Sequence, residues 1–182
     1  MRGFVAIDLP EPVLDTLESL QDDLAVGRPM ARETLHLTLA FLGERDDAAL
    51  AAVHEELTGL AAGTFELTLR GVGMFGGRRP RVLWAGVGHQ PALGALRDRV
   101  RRAVRRAGIE LPRERFRPHV TIARFGPHPH RDELRKIEEF LERNGSFRAD
   151  PFAVGQVTLF RSVLHRNGAV HEPLAVYGLK GP

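Results

Sequence analysis

The chain has 182 residues, 43% of them hydrophobic, which suits one domain or two small fused lobes around a sizeable core. It has no cysteine, excluding a disulfide framework or a thiolate metal site, and no apolar run long enough to span a bilayer. The net charge is only +3, yet the sequence pI is about 10.1, and Lys136 and Lys180 are the only lysines beside the many arginines.

FVAIDL (4–9) alternates as a strand does, and Asp8 and Pro10 interrupt it too soon for a signal peptide. EPVLDTLESLQDDLAV (11–26) has Pro12 in its first turn and Val13, Leu14, Leu17, Leu20 and Leu24 at helical spacing. LHLTLAFLG (35–43) reads as a strand ended by Gly43. DDAALAAVHEELTGLAAG (46–63) reads as a helix, acidic at its start. FELTLRGVG (65–73) and PRVLWAGVG (80–88) are strands, and the MFGGRR between them forms a hairpin. PALGALRDRVRRAVRRAG (91–108) is a helix with Leu93, Leu96, Val100 and Val104 on one face. A strand over 118–125 and a helix over 131–145 follow, and FAVGQVTLFRSVL (152–164) and AVHEPLAVYGL (169–179) close the chain as strands. Strand, helix, strand, helix and strands thus occur twice, with no linker between the halves. The expected fold class is α+β: one two-lobed domain over residues 1–182, duplicated about a pseudo-twofold axis.

The duplication is written most clearly in HLTLAFLG (36–43) and HVTIARFG (119–126), which share His, Thr, Ala and Gly at matching places. Strand side chains alternate faces. His36, Thr38 and Ala40 therefore share one face, as do His119, Thr121 and Ala123, with Leu37, Leu39, Phe41, Val120 and Ile122 opposite. The apolar rows are expected to pack on helices, Phe41 in the core among them, with a place beside a nucleobase as its other reading. The polar rows then face each other across a groove. Two imidazoles so placed suit general acid and general base work on one phosphate, since histidine titrates near neutrality. Thr38 and Thr121 can donate hydroxyl hydrogens to non-bridging oxygens, and Ala40 and Ala123 leave room for substrate. Nothing here requires a metal or another cofactor. Strict alternation aims Arg124 away from His119; a bulge at the strand end is needed to swing it back towards a phosphate, and the other reading is a structural salt bridge.

Other motifs carry less. GVGMFG (71–76) fits a dinucleotide pattern but leads into a strand, where the pyrophosphate site needs a helix N-terminus. HPH (128–130) lacks a carboxylate partner and reads as a loop, and His54 as solvent-facing. Between Arg97 and Arg117 stand nine arginines against Asp98, Glu110 and Glu114. Those on the helix are either a solvated face or a salt-sensitive RNA-backbone surface.

Both octapeptides, the opening RGFVAIDLP, the central GVGMFGGRRPRVLWAGV and the closing VTLFRSVLHRNGAVHEPL resemble the RNA 2′,3′-cyclic phosphodiesterases, also called 2′-5′ RNA ligases, of the two-histidine phosphoesterases. The resemblance implies two antiparallel sheets flanking a central cleft, with helices outside. It implies metal-independent hydrolysis of an RNA 2′,3′-cyclic phosphate to a 2′-phosphate, with His36 as proton donor to the 3′ oxygen and His119 as proton acceptor from water. The nearly symmetric repeats do not themselves assign these roles. With an RNA 5′-hydroxyl in place of water, the site would form a 2′-5′ bond. Thr38, Thr121 and Arg124 are the implied substrate-binding residues, and the partners are RNA ends, tRNA fragments among them, met by a cytoplasmic monomer. One departure stands in GAVHEPL: His171 replaces a tyrosine usual in the family, and an exposed or structural position is expected for it, with a third site histidine as the other reading. A non-catalytic RNA-binding module and a phosphodiesterase for small cyclic nucleotides are the alternatives.

Overall fold

The computed structural model describes residues 2–165 and 168–180. The described residues form β1 (Arg2–Asp8), α1 (Glu11–Asp22), β2 (Arg28–Pro29), a 3₁₀ turn (Arg32–Thr34), β3 (His36–Glu44), α2 (Asp47–Thr58), β4 (Phe65–Leu67) and β5 (Leu69–Phe75). There follow β6 (Val82–Val87), α3 (Pro91–Arg106), β7 (His119–Arg124), α4 (Arg131–Arg143), β8 (Phe152–Val154), β9 (Gln156–His165) and β10 (Gly168–Gly178). No described helix is long and apolar enough to cross a membrane.

The fold is α+β with antiparallel pairing throughout. One sheet runs in the order β10-β9-β1-β3-β7-β6-β5, with β2 beside β7, and β4 and β8 form a small second sheet. The repeats are β1-α1-β3-α2-β4-β5 and β6-α3-β7-α4-β8-β9. Each sends its last strand into the other lobe: β5 pairs β6, and β9 pairs β1. Neither lobe is therefore built from one repeat alone. The lobes meet where β3 and β7 touch through one register pair, Leu37 with Val120. Both follow their histidine directly, so the pseudo-twofold axis passes between them. Carried one residue either way, this register turns His36 towards Thr121 and Thr38 towards His119.

Helices cover one face of this sheet. Val13, Leu17 and Leu20 of α1, Leu50, Val53 and Leu57 of α2, and Leu93, Leu96, Val100 and Val104 of α3 are buried there with Leu37 and Val120. Burying one such leucine stabilises the fold by about 1.5–3 kcal/mol, so the seam between the lobes is anchored from beneath. The opposite face carries a separate cluster of Phe4, Ala6 and Phe160. β1 is thus apolar on both sides, buried from Gly3 to Ile7.

Two expected strands divide. Residues 65–75 break at Thr68 and residues 152–165 at Gly155, because the short outer pieces turn away to pair with each other as β4 and β8. The first helix ends at Asp22 rather than running to 26. GVGMFG lies in the β5–β6 hairpin, as read from the sequence. There Gly76 takes φ +113°, and a Cβ on it would stand 2.2 Å from the Arg79 carbonyl oxygen.

Candidate active site

Each histidine stands at the start of its strand, and each is fixed in the same way. The Nδ1 of His36 lies 2.7 Å from the carbonyl oxygen of Thr34, and that of His119 lies 2.7 Å from the carbonyl oxygen of Arg117. A carbonyl only accepts, so Nδ1 carries hydrogen in both rings and Nε2 is the working nitrogen. The supporting carbonyls are themselves braced. Thr34 closes its 3₁₀ turn with Oγ1 donating to Ala31 (2.7 Å), and Arg32 in that turn is gripped by Glu11, Asp15 and Glu18 of α1. Before His119, the Arg97 guanidinium sits 4.5 Å over the Phe116 ring, and Arg101 donates to the Pro112 carbonyl.

Aromatic rings back both imidazoles. Phe4 stacks on His36 at 4.8 Å and on Phe160 at 5.1 Å. Around His119 the counterparts are Phe75, edge-on at 4.8 Å, and Trp84 at 6.3 Å. Phe160 on β9 matches Phe75 on β5, but Trp84 stands at the place of Ala6 and Phe4 at that of Val82, so the pseudo-symmetry of the ring supports is partial. Gly73 makes one of them possible: a Cβ there would fall 2.3 Å from the Trp84 ring. Gly73→Ala is expected to push Trp84 off His119, costing about 1–3 kcal/mol in stability and a measurable part of kcat. A thermal melt beside a turnover assay checks both effects, and an unchanged melt would show that the ring has somewhere else to go.

The strands do not alternate strictly. On β3 the pairing with β1 shifts between Val5 and Ala6, and on β7 the pairing with β6 shifts between Leu83 and Trp84. A bulge at Leu39 and another at Ile122 therefore reverse the faces beyond them. Ala40 and Ala123 turn into the core beneath the sheet, 3% and 0% exposed, and do not line the cleft as expected. The residues after them turn the other way. Phe41, expected in the core, is 66% exposed on the cleft face, 6.3 Å from Phe4. Arg124 shares the face of Val82, Trp84 and Thr121 and lies in the cleft, with no acidic partner among the described residues.

His171 is neither exposed nor remote. It comes from β10, the strand without a counterpart in the first repeat, and meets Phe4 at 4.8 Å and His36 at 5.1 Å, both edge-on. It leaves the cleft with three histidines, two of them on one side. Thr38 and Thr121 are half-buried on the same face, and their hydroxyls have no partner among the described residues. The described residues contain no cluster of three or more histidine, aspartate or glutamate side chains arranged to hold a metal.

Burial dominates the electrostatics. It pushes His36 down to about 4, partly offset by the Thr34 hydrogen bond and reinforced by the charges of His171, His119 and Arg124. Burial also lowers His119, offset by its Arg117 hydrogen bond and reinforced by Arg124. His171 is lowered by burial alone. Arg124 thus acts on both histidines. At neutral pH the free site holds neutral imidazoles beside one permanent cation, a setting that favours an anion.

The remaining candidates lie elsewhere. His130 begins α4, its backbone N–H donating to Glu133 (2.7 Å), so HPH is a loop and a helix start. His54 is exposed, as expected, while its Nδ1 lies 2.9 Å from the Tyr177 hydroxyl. The strand pattern did not single out Phe4, Phe75, Trp84 and Phe160 as part of the site; the visible signal was that FVAI and VLWA are apolar on both strand faces.

A duplicated antiparallel fold that brings one His-x-Thr strand from each repeat to a common seam defines a protein with a paired-imidazole site. The chain belongs to the 2'-5' RNA ligase superfamily, whose family model matches residues 9–166. It is 36% identical over 187 residues to the RNA 2',3'-cyclic phosphodiesterase of Escherichia coli (strain K12), covering 98% of this chain and 96% of that one. To the protein of the same name from Aeropyrum pernix it is 34% identical over 164 residues, covering 87% and 92%. The crystal structure of E. coli LigT complexed with 3'-AMP superposes with a TM-score of 0.74 at 28% identity, covering 98% of this chain and 96% of that one.

Proposed function

We propose that this chain hydrolyses RNA ends carrying a 2′,3′-cyclic phosphate to 2′-phosphate ends, without a metal, by general acid–base catalysis between His36 and His119. The observation that carries the reading is the matched pair of imidazoles at the seam, each with Nδ1 tied to the carbonyl two residues earlier and Nε2 left for chemistry. The names of the relatives supply the substrate class.

In this reading the cyclic phosphate lies between the rings, with its non-bridging oxygens on the hydroxyls of Thr38 and Thr121 and on the Arg124 guanidinium, whose fork suits phosphate. Water attacks phosphorus. Nε2 of neutral His119 takes the water proton as the new P–O bond forms, and Nε2–H of protonated His36 delivers a proton to the 3′ oxygen as the P–O3′ bond breaks. The cycle closes when His119 loses its proton and His36 regains one. Burial keeps His36 neutral in the free protein, and the phosphodiester anion beside it favours the imidazolium, so substrate itself loads the acid. Both histidines come from one chain, which supports a monomer acting as one two-lobed domain over residues 1–182. An RNA 5′-hydroxyl in place of water gives 2′-5′ ligation by the same proton transfers: His119 takes the hydroxyl proton as the P–O5′ bond forms, and His36 protonates the 3′ oxygen as the P–O3′ bond breaks. Processed RNA ends, tRNA fragments included, in the cytoplasm are the substrates this chemistry fits.

The test is hydrolysis of a short RNA ending in a 2′,3′-cyclic phosphate with chelator present, the product typed as 2′- or 3′-phosphate. Undiminished turnover to a 2′-phosphate is expected. Loss of activity in chelator overturns the metal-free mechanism. Binding without turnover leaves an RNA-binding module, and turnover of cyclic mononucleotides alone moves the substrate class to small nucleotides.

A further inference from the structure

The nine arginines between Arg97 and Arg117 separate into two jobs. Arg97 and Arg101 are buried, 9% and 6% exposed, and hold the segment before His119 through Phe116 and the Pro112 carbonyl. Arg106 pairs with Glu56 at 2.6 Å. Others point outward without an acidic partner among the described residues, and five of these fall along one path.

The path begins at the site. Arg117 supplies the carbonyl that holds His119, and its side chain is exposed. From there back to Pro112 the chain has no helix or strand of its own. Pro112 and Pro118 hold the residues before them, Leu111 and Arg117, to extended conformations. Phe116 meets Arg97 of α3, and Glu114 lies 4.0 Å from Arg101, one helical turn further on. Two residues of the segment thus cover one turn of helix, as an extended chain does. With Glu114 and Phe116 facing α3, Arg113, Arg115 and Arg117 face solvent, and all three are exposed. Neighbours in such a row are about 6.6 Å apart, a pitch that successive phosphates of a single strand can follow. Beyond Arg113 the row enters a groove of about 430 Å³ lined by Arg102 and Arg105 of α3, with Asp98 and Glu114 in the same lining beside the buried Arg97 and Arg101.

The other lobe offers nothing similar. At the matching place before His36, Arg32 is neutralised by Glu11, Asp15 and Glu18. Among the described residues, the segment before His36 therefore presents no row of exposed arginines like the one before His119.

We infer that Arg117, Arg115 and Arg113, continued by Arg102 and Arg105, form a ladder that binds the phosphates of single-stranded RNA upstream of the reacting 3′ end. The inference rests on the RNA reading above and extends it: the protein selects a polynucleotide over a cyclic mononucleotide, and the strand leaves the cleft on the His119 side. Binding here is independent of base sequence and sensitive to salt.

The test uses the full chain and the triple variant Arg102→Gln, Arg113→Gln, Arg115→Gln, leaving Arg117 and the cleft intact. Fluorescence anisotropy measures the Kd of a labelled single-stranded RNA with a 3′-phosphate across a salt series, and hydrolysis of a 2′,3′-cyclic mononucleotide reports on the cleft. Each phosphate of a single strand that the protein no longer neutralises flattens the salt slope by roughly 0.7, so the variant is expected to lose a slope of about 2. A fourfold rise in salt should then weaken wild type about 20-fold more than the variant. Mononucleotide turnover is expected to stay as in wild type. Equal slopes overturn the ladder, and so does a parallel loss of mononucleotide turnover, which would mark these arginines as supports of His119. If wild type turns over no cyclic phosphate at all, the proposed activity fails, while the anisotropy slopes still decide the ladder.

Discussion

Replacing either His36 or His119 with alanine is expected to lower kcat on an RNA 2′,3′-cyclic phosphate by about 10²–10⁴-fold, the range for removing a positioned proton-transfer group. KM should move far less, because Thr38, Thr121 and Arg124 still hold the phosphate. The double variant should be little worse than the poorer single one, since two groups acting in one transition state do not contribute additively. Steady-state kinetics of the three variants checks this, and a single variant within tenfold of wild type would remove that histidine from the chemistry. His36→Ala also has a signature outside catalysis. Burial holds the folded His36 near 4 against about 6.5 in the unfolded chain. Between those values the unfolded state binds more protons, so the wild type loses stability as pH falls from about 6.5 through 4. The variant lacks that contribution, and its unfolding free energy should fall less steeply across the same window.

The pair of histidines was legible because duplication wrote the same octapeptide twice, and period-two alternation put His and Thr on one face wherever the strand stayed regular. Alternation misplaced what came next. Leu39-Ala40 and Ile122-Ala123 are apolar pairs, and alanine fits either face, so the sequence shows no break in pattern where the strand bulges. The break is set by pairing: β1 and β6 each advance one residue against the doubled position. Strict alternation puts Phe41, Ala40 and Ala123 on the wrong face for that single reason, and Arg124 reaches the cleft face only through the bulge that its substrate-binding reading requires. The crossing of β5 and β9 between lobes is likewise hidden, since strand order is decided by which edges remain free once β1-β3 and β6-β7 have formed. His171 could not be placed because β10 slips register between Pro173 and Ala175, and counting from either strand end gives a different face. The arginine cluster was visible as composition, whereas its division into clamps and exposed rungs depends on which residues meet Phe116 and Pro112.

The bulge at Ile122 leads to the second large effect. It carries Arg124 to the cleft face, between two histidines whose protonation it opposes. Arg124→Ala is expected to reduce kcat by about 10²–10³-fold, the cost of losing a preorganised donor aimed at charge on the transferring group. The pH profile separates this role from a structural one. Without the cation both imidazoles accept protons more readily, so the acid limb of kcat, set by the base His119 once substrate has loaded His36, should move to higher pH. Arg124→Lys keeps the charge and loses the planar fork. It should hold the acid limb near its wild-type position while recovering only part of the rate. A loss of rate with the acid limb unmoved in the alanine variant would place Arg124 outside the field of the histidines. Phe41, at the matching position of the first repeat, is the control built into the fold. It is exposed on the same face and uncharged, and Phe41→Ala should leave the acid limb where it is. The duplicated strands thus present one cation and one aromatic ring at positions related by the pseudo-twofold axis, and the symmetric histidine pair acquires an asymmetric setting from the residues that follow the two bulges.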